Sequence, residues 1–181
     1  MEQILSFEVV DALIKDEIHP RLLSKRLAVN HMSVNRRLKE LRKANVVDFH
    51  ENGKNKTYFL KRTVEARCYV YMAEHHKLLK IVEGYPHLRK VVERIQEDQR
   101  IGMAVIFGSH AKNAATDDSD IDIYVETKDR KIKAGLEALD SRLSVKIGTY
   151  DRSNPLVKEI EKNHVIIKGV EEYYGKTGLF G

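Results

Sequence analysis

The chain has 181 residues, of which 42% are hydrophobic, so it can form one ordinary domain or two small ones with globular cores. Its formal net charge of +5 favours a polyanion as partner, and its single cysteine excludes an internal disulfide and a multi-cysteine zinc site. Because neither an apolar N-terminal signal nor an apolar run of membrane-spanning length occurs, we expect a cytoplasmic protein without membrane insertion.

The N-terminal segment predicts three helices, over residues 3–15, 20–29 and 33–44. Ser33 is the expected N-cap of the third helix. The residues expected on the buried stripe of that helix are Val34, Leu38 and Leu41. Basic residues are concentrated between Arg21 and Lys43, where Glu40 is the only acid. The third helix therefore has the charge and the periodicity of a DNA-recognition helix.

A β-hairpin is predicted next, because Asn52-Gly53 separates two apolar-rich segments, 46–50 and 56–60. Three helices followed by a hairpin resemble a winged helix-turn-helix domain. The resemblance implies that the third helix enters the major groove of duplex DNA and that the wing reaches a phosphate or the minor groove. The DNA contacts expected on this basis are Asn35, Arg36, Arg37, Lys39, Arg42, Lys54 and Lys56. In the alternative interpretation the domain dimerises or binds protein, and the basic helix is an ordinary solvated surface.

A helical connector is predicted after the hairpin. One helix covers residues 64–83 and is stopped by Gly84, and Pro86 begins another. This connector is a candidate homodimer interface, and Cys68 is expected to pack within it. The adjacent His75 and His76 point in different directions on a helix, so we interpret them as surface residues.

The most informative stretch is VIFGSHAKNAATDDSDIDIYVE, residues 105–126. An apolar run predicts a buried strand that breaks at Gly108-Ser109, where backbone amides can approach a phosphate closely. Asp120 and Asp122 lie in a second predicted strand, whose period of two places both carboxylates on one face. Paired hard oxygen donors suit magnesium carrying a nucleoside triphosphate.

The segments GSHAK and SDIDI resemble the nucleotidyltransferase superfamily, in particular the archaeal and bacterial minimal nucleotidyltransferases. The resemblance implies a mixed sheet with flanking helices. It implies phosphate contacts by Gly108 and Ser109, and it assigns metal binding and catalysis to Asp120 and Asp122. Lys112 stands where the family often has arginine or lysine, so it is expected among the nucleotide-binding residues. It also suggests a partner, because these proteins are often antitoxins paired with a helical toxin.

The chain departs from the family pattern in two places. Asn113 stands where the family often has glycine, and Lys146 is the position that we align with the third carboxylate of catalytic members. Asp140 and Asp151 flank the predicted strand 143–149, and each is a candidate replacement for that carboxylate. A lysine beside two aspartates would partly neutralise the metal site. In the simpler alternative, the two aspartates are exposed acids on an ordinary strand.

The remaining pattern predicts a helix over 129–140, a helix over 155–162, a strand over 164–168 and a loosely ordered tail over 171–181. The expected class is α/β (α+β), with a winged helix-turn-helix in 1–62, a helical connector in 63–99 and a nucleotidyltransferase-like domain in 100–181. The expected function is transfer of a nucleoside monophosphate from Mg²⁺-bound NTP, with ATP favoured, to a macromolecular hydroxyl. The alternative is a DNA-binding regulator or antitoxin whose nucleotidyltransferase-like domain is catalytically degraded.

Overall fold

A computed structural model describes residues 2–53, 55–112, 114–116 and 118–180. It divides into two compact units, one of Met1–His76 with Leu179–Gly181 and one of Lys77–Gly178. The division falls inside the segment predicted as a helical connector. Within the described ranges, no helix has both the length and the apolar character that a membrane span requires.

The N-terminal unit begins with three helices and a hairpin, in the order that the sequence predicts. The elements are α1 (Glu2–Lys15), α2 (Pro20–Leu27), α3 (His31–Lys43), β1 (Val47–Asn52) and β2 (Asn55–Leu60). The two strands pair antiparallel, and Ile18 forms an isolated bridge with Tyr58 of β2. The core contains the predicted stripe of α3, since Val34 and Leu38 are 0% exposed and Leu41 is 2% exposed.

Two local predictions in this unit are wrong. Helix α3 begins two residues earlier than expected, because the side chain of Asn30 rather than Ser33 caps it and accepts a hydrogen bond of 2.7 Å from the Met32 amide. The predicted hairpin is present, but its turn, expected over 51–54, is tighter, since Asn52 belongs to β1 and pairs with Asn55 while Gly53 takes φ +61°. Lys54, a predicted DNA contact, lies outside the described residues.

The predicted connector helices are present as α4 (Val64–Gly84) and α5 (Arg89–Glu97), separated by a 3₁₀ turn at Pro86–Leu88. Cys68 is exposed, so the prediction that it packs within the helix is wrong. The last turns of α4 contribute Leu78 and Ile81 to the hydrophobic core of the C-terminal unit. Helix α5 adds Val91, Val92 and Ile95 to the same core.

The C-terminal unit is built on a mixed four-stranded sheet with flanking helices, which confirms the predicted class. Its elements after α5 are β3 (Ala104–Phe107), α6 (Gly108–Ala111), β4 (Ile121–Glu126), α7 (Arg130–Glu137), β5 (Leu143–Gly148), α8 (Pro155–Lys162), β6 (Val165–Lys168) and α9 (Val170–Thr177). The strand order is β5-β4-β3-β6; β4 and β5 are parallel, and β3 is antiparallel to both of its neighbours.

Strand β4 shows how the sheet separates core from site. Ile121, Ile123 and Val125 belong to the core that also contains residues of α5 and α7. The alternation of a strand therefore turns Asp122 toward the opposite face.

The C-terminal tail is ordered into α9, so the expectation of a loose tail is wrong. Tyr173 and Tyr174 are 1% and 3% exposed. The chain enters α9 at Gly169, whose φ of +78° and close approach to the Gly102 carbonyl leave no room for a side chain. Aromatic burial thus fixes a segment whose charged residues suggested a solvated tail.

Candidate functional site

The turn from β3 into α6 brings the Gly-Ser step and the aspartates together. Phe107, the last residue of β3, pairs with Asp122 of β4. Gly108 follows with φ +70°, and a Cβ built on it would lie 2.5 Å from Asp122 Oδ2. Only glycine therefore allows the carboxylate of Asp122 to lie against this turn. The two halves of the sequence motif meet at one end of the sheet.

Asp120 lies at the same end of the sheet as Asp122 but in a different local environment. It is exposed and lies just before β4, whereas Asp122 is half-buried. The buried ring of His110 in α6 lies close to the backbone of Asp120, which raises the pKa of that imidazole against the larger lowering effect of its burial. Because α6 begins at Gly108, one short helix lies beside both aspartates.

His110 is a site residue that sequence reasoning missed. It is 1% exposed, and burial lowers the pKa of its imidazole. Its Nδ1 has no hydrogen-bond partner among the described residues. The rings of Tyr85 and His87 lie 4.9 Å and 6.3 Å from its ring. In the sequence, the only signal was that His110 follows Gly108-Ser109. Its burial could not be read there, because it depends on Tyr85 and His87 before α5.

The other predicted nucleotide-binding residues are Ser109 and Lys112. Ser109 is half-buried and follows Gly108 directly, so it lies at the turn that faces Asp122. Lys112 lies at the other end of α6, where its Nζ is 4.0 Å from Glu159 Oε1 of α8 and both side chains are about half exposed. The structure therefore brings Gly108 and Ser109 to Asp122, and it places Lys112 beside an acid of another helix. Asn113 lies outside the described residues.

The register of β5 shows which side chain of that strand lies beside Asp122. Ser144 pairs with Asp122, and Lys146 pairs with Tyr124, farther along the sheet. The residue beside Asp122 on the neighbouring strand is therefore a serine rather than the predicted lysine. Lys146 therefore does not lie directly beside Asp122.

The two acids that flank β5 also differ in position. Asp151 follows the far end of β5 and accepts hydrogen bonds from Ser153, so it is distant from Asp122. Asp140 precedes β5 at the Asp122 end, but Arg142 binds it through two nitrogens at 2.8 Å and 3.1 Å. These hydrogen bonds lower the pKa of Asp140 to about 2. Asp140 is held as an ion-paired carboxylate, which makes it a weak proton acceptor.

The metal-binding capacity of the site follows from its donors. Within the described ranges, no group of three or more His, Cys, Asp or Glu side chains is arranged to hold a metal ion. Asp120 and Asp122 provide hard carboxylate oxygens, and Ser144 adds a hydroxyl on the same face of the sheet. Magnesium often binds through one or two carboxylates together with substrate phosphates. The residues fit magnesium delivered with a nucleotide better than a permanently bound ion.

The predicted DNA contacts of α3 do not share one environment. Arg36 and Lys39 are exposed, whereas Arg37 is only 8% exposed and pairs with Glu40. Arg37 is therefore a packing residue, and the expectation that it presents its charge to DNA is corrected. The missed signal is the position of Arg37 beside Leu38 and Leu41, on the edge of the buried stripe.

Arg42 and Lys56 meet around one aromatic ring of the hairpin. The Arg42 guanidinium lies 4.6 Å and the Lys56 ammonium 4.0 Å from the centroid of Phe49. Arg42 also pairs with Asp48 at 3.2 Å, and Lys56 with Glu51 at 3.3 Å. These contacts hold α3 against the hairpin and reduce the local positive charge.

A groove of about 270 Å³ lies between the start of α2, α3 and β2. Two of the predicted DNA contacts, Asn35 and Lys56, line it together with Arg21 and His31. Asn35 hydrogen-bonds to the His31 ring. The groove carries amide, imidazole and cationic groups, which are the donors that bind phosphate in nucleic-acid complexes.

Comparison with known proteins gives one family. Residues 89–172 match the family model described as "Polymerase beta, Nucleotidyltransferase". The match begins at α5 and ends within α9, so it includes the whole sheet and the site at its end. No curated protein matches the chain. The C-terminal part of the chain is therefore a nucleotidyltransferase-type domain.

Proposed function

We propose that the nucleotidyltransferase-type domain of residues 89–172 binds ATP with magnesium and transfers the nucleoside monophosphate to a hydroxyl of a macromolecular acceptor. In this reaction the acceptor oxygen bonds to the α-phosphorus, the bond to the bridging oxygen breaks, and pyrophosphate leaves. We assign the acceptor's proton to solvent, because the residues of β5 nearest to Asp122 on its face are Ser144 and Lys146.

The contact between Gly108 and Asp122 is the observation that carries the proposal. If Asp122 were an ordinary solvent-facing acid on a strand, many residue types could occupy position 108 in the neighbouring turn. Here the Asp122 carboxylate takes the space that any Cβ at position 108 would fill. The arrangement holds one carboxylate against the turn where a phosphate would bind, as nucleotide transfer requires.

Each residue of the site has a distinct role in the proposal. Asp120 and Asp122 would hold magnesium, which when bound neutralises negative charge on the phosphates. Ser109 donates its hydroxyl to a phosphate oxygen. His110 acts indirectly, because its buried ring lies beside the backbone of Asp120. The positive charge of Lys112 steers the nucleotide toward this end of the sheet.

Calorimetric titration of ATP with magnesium tests the proposal. The wild type should bind, and Asp122→Asn should weaken binding by at least about tenfold, or 1.4 kcal/mol. Asp151→Asn is the matched control, because it removes the same charge beyond the far end of β5. Equal affinities in all three proteins, or no binding by folded wild type, would overturn the proposal. If the wild type binds ATP and Asp122→Asn binds it more weakly, the acceptor can be sought with ATP labelled at the α-phosphate.

The second candidate function is a DNA-binding regulator that uses the N-terminal unit, and the groove beside α3 favours it. Its donors come from three elements, so a phosphate there would be held from several sides. Exposed Arg36 and Lys39 lie on α3 and would add contacts along the duplex. This function is compatible with nucleotide binding by the other unit.

Duplex binding measured over a range of salt concentrations tests the second function. Arg21→Ala with Lys56→Ala should reduce the slope of log K against log salt by about 2, since each lost phosphate contact removes about one released ion. Lys43→Ala, an exposed lysine that does not line the groove, is the control. An unchanged slope in the double variant would contradict this role. Asp122→Asn should leave duplex binding intact.

The helical toxin-like partner and the homodimer stay predictions. They are proposed only from the resemblance and from the helical connector. If the protein were such an antitoxin, its DNA-binding unit would allow it to regulate its own promoter.

A further inference from the structure

Met32, in the first turn of α3, is the most exposed of the large apolar side chains in the described part of the chain, at 79%. Its backbone is held in place, because its amide donates a hydrogen bond to the side chain of the N-cap residue Asn30. A single exposed apolar side chain is ordinary on a protein surface. What distinguishes Met32 is the set of residues that share its face of the helix.

Two exposed cations lie on the same face of α3 as Met32. Arg36 and Lys39 follow it by four and seven residues, a spacing that places the three side chains in one row along the helix. Glu40, the only acid of α3, pairs with Arg37. The row therefore combines an apolar end with positive charge.

The groove beside α3 adjoins this row. His31 and Asn35 line the groove, and each precedes a residue of the row by one position. Successive residues of a helix are rotated by about 100°. The groove and the row are therefore neighbouring faces of the same end of α3. A duplex whose backbone enters the groove can present its base edges to the row.

The length of the row matches a short stretch of duplex. From Met32 to Lys39 the helix rises about 10 Å. At about 3.4 Å for each base pair, this distance covers about three pairs. The major groove is about 12 Å wide and admits an α-helix, and the N-terminal residues of a recognition helix are the ones that contact base edges. Met32 lies in that N-terminal part.

The chemistry of Met32 selects one base. The apolar group that a base pair presents in the major groove is the C5-methyl of thymine. A methionine side chain is apolar and flexible, so it can pack against this methyl group. A protein partner is less well matched, because protein interfaces use larger contiguous apolar patches and the neighbours of Met32 in the row are cations.

We infer that Met32 recognises thymine in duplex DNA, through contact with its C5-methyl group in the major groove. The inference rests on the second candidate function and adds a specificity-determining residue to it. Arg36 and Lys39 would donate to base edges or phosphates beside that thymine.

The probes for the test are duplexes that the full-chain wild type enriches from a random-sequence pool. Each enriched duplex is remade with uracil in place of thymine, which removes only the C5-methyl groups. This change should raise the wild-type Kd by about fourfold, the effect of one buried methyl group. Met32→Ala should bind both forms with equal Kd, and Met32→Leu should restore the difference. Val64→Ala is the control, because Val64 is an apolar residue of α4 with a similar exposure of 72%.

The outcomes separate this inference from duplex binding as such. A thymine preference that Met32→Ala removes, while Met32→Leu and Val64→Ala keep it, would support the inference. The inference is overturned, and the second function stands, if the wild type binds duplexes without enriching a sequence, or if Met32→Ala keeps the preference for thymine. It is also overturned if Met32→Ala changes only the oligomeric state in solution, since Met32 would then be a protein contact. If the folded wild type binds no duplex, both are overturned.

Discussion

Replacing Gly108 with alanine perturbs the one contact that joins the two halves of the site. Alanine in the left-handed conformation at φ +70° costs about 1 to 2 kcal/mol. The added Cβ would also lie 2.5 Å from Asp122 Oδ2, so the carboxylate must rotate away. Leaving a preferred rotamer costs about 0.5 to 1.5 kcal/mol. We therefore expect the free energy of unfolding to fall by about 2 kcal/mol and the affinity for magnesium ATP by at least about tenfold.

Urea denaturation and calorimetric titration measure these two effects in the same protein. Gly135→Ala is the control, since Gly135 lies in α7 without positive φ and a Cβ added there would meet no heavy atom within 4 Å. That change should stabilise the helix by up to about 1 kcal/mol and leave binding unchanged.

Combining Gly108→Ala with Asp122→Ala separates the cost of backbone strain from the cost of displacing the carboxylate. The double variant keeps the backbone strain but lacks the carboxylate, so the destabilisations should fall short of additivity by about 1 kcal/mol. Wild-type stability and wild-type ATP affinity in Gly108→Ala would refute the reasoning.

Three further predictions concern neighbours of the aspartates. His110→Ala should lower the free energy of unfolding by about 1 to 3 kcal/mol in urea denaturation and weaken ATP binding, because a buried ring that contacts Tyr85 is removed. Since ion pairing with Arg142 depresses the pKa of Asp140 from 3.8 to about 2, its stabilisation is complete above 3.8 and is lost as the pH falls through 2. The stability difference between wild type and Asp140→Asn, up to about 1 kcal/mol, should therefore vanish across that interval. Ser144→Asp should strengthen magnesium-dependent ATP binding more than Lys146→Asp does; the reverse order would contradict the register.

The sequence is most informative where local pattern and long-range contacts agree. The alternation around Asp122 predicts the strand and its exposed face, and the Gly-Ser break predicts the turn, because both follow from local backbone preferences. The register of β5 could not be read in this way. A parallel neighbour is joined through α7, and a shift of two residues leaves the same side chains on the same face. The choice between Ser144 and Lys146 therefore needed the structure.

Burial of polar residues was the other feature that the sequence did not reveal. His110 and Arg37 look like exposed polar residues in the sequence, yet they are 1% and 8% exposed. His110 is buried by groups that are distant in sequence. Arg37 is buried because it lies at the edge of the apolar stripe of α3. The same holds for Tyr173, whose burial orders the predicted loose tail.

Helix α6 links the two candidate roles of the C-terminal unit. Its first residue, Gly108, leaves room for the Asp122 carboxylate, and its buried His110 ring lies beside the backbone of Asp120. Neither support involves β5, so nucleotide binding can persist whatever residue stands beside Asp122 on that strand. Transfer additionally needs the acceptor's proton to be removed, and the residues of β5 on the Asp122 face, Ser144 and Lys146, include no acid. A transferase and a nucleotide-responsive DNA-binding regulator would therefore share the binding step and differ in the chemistry that follows it.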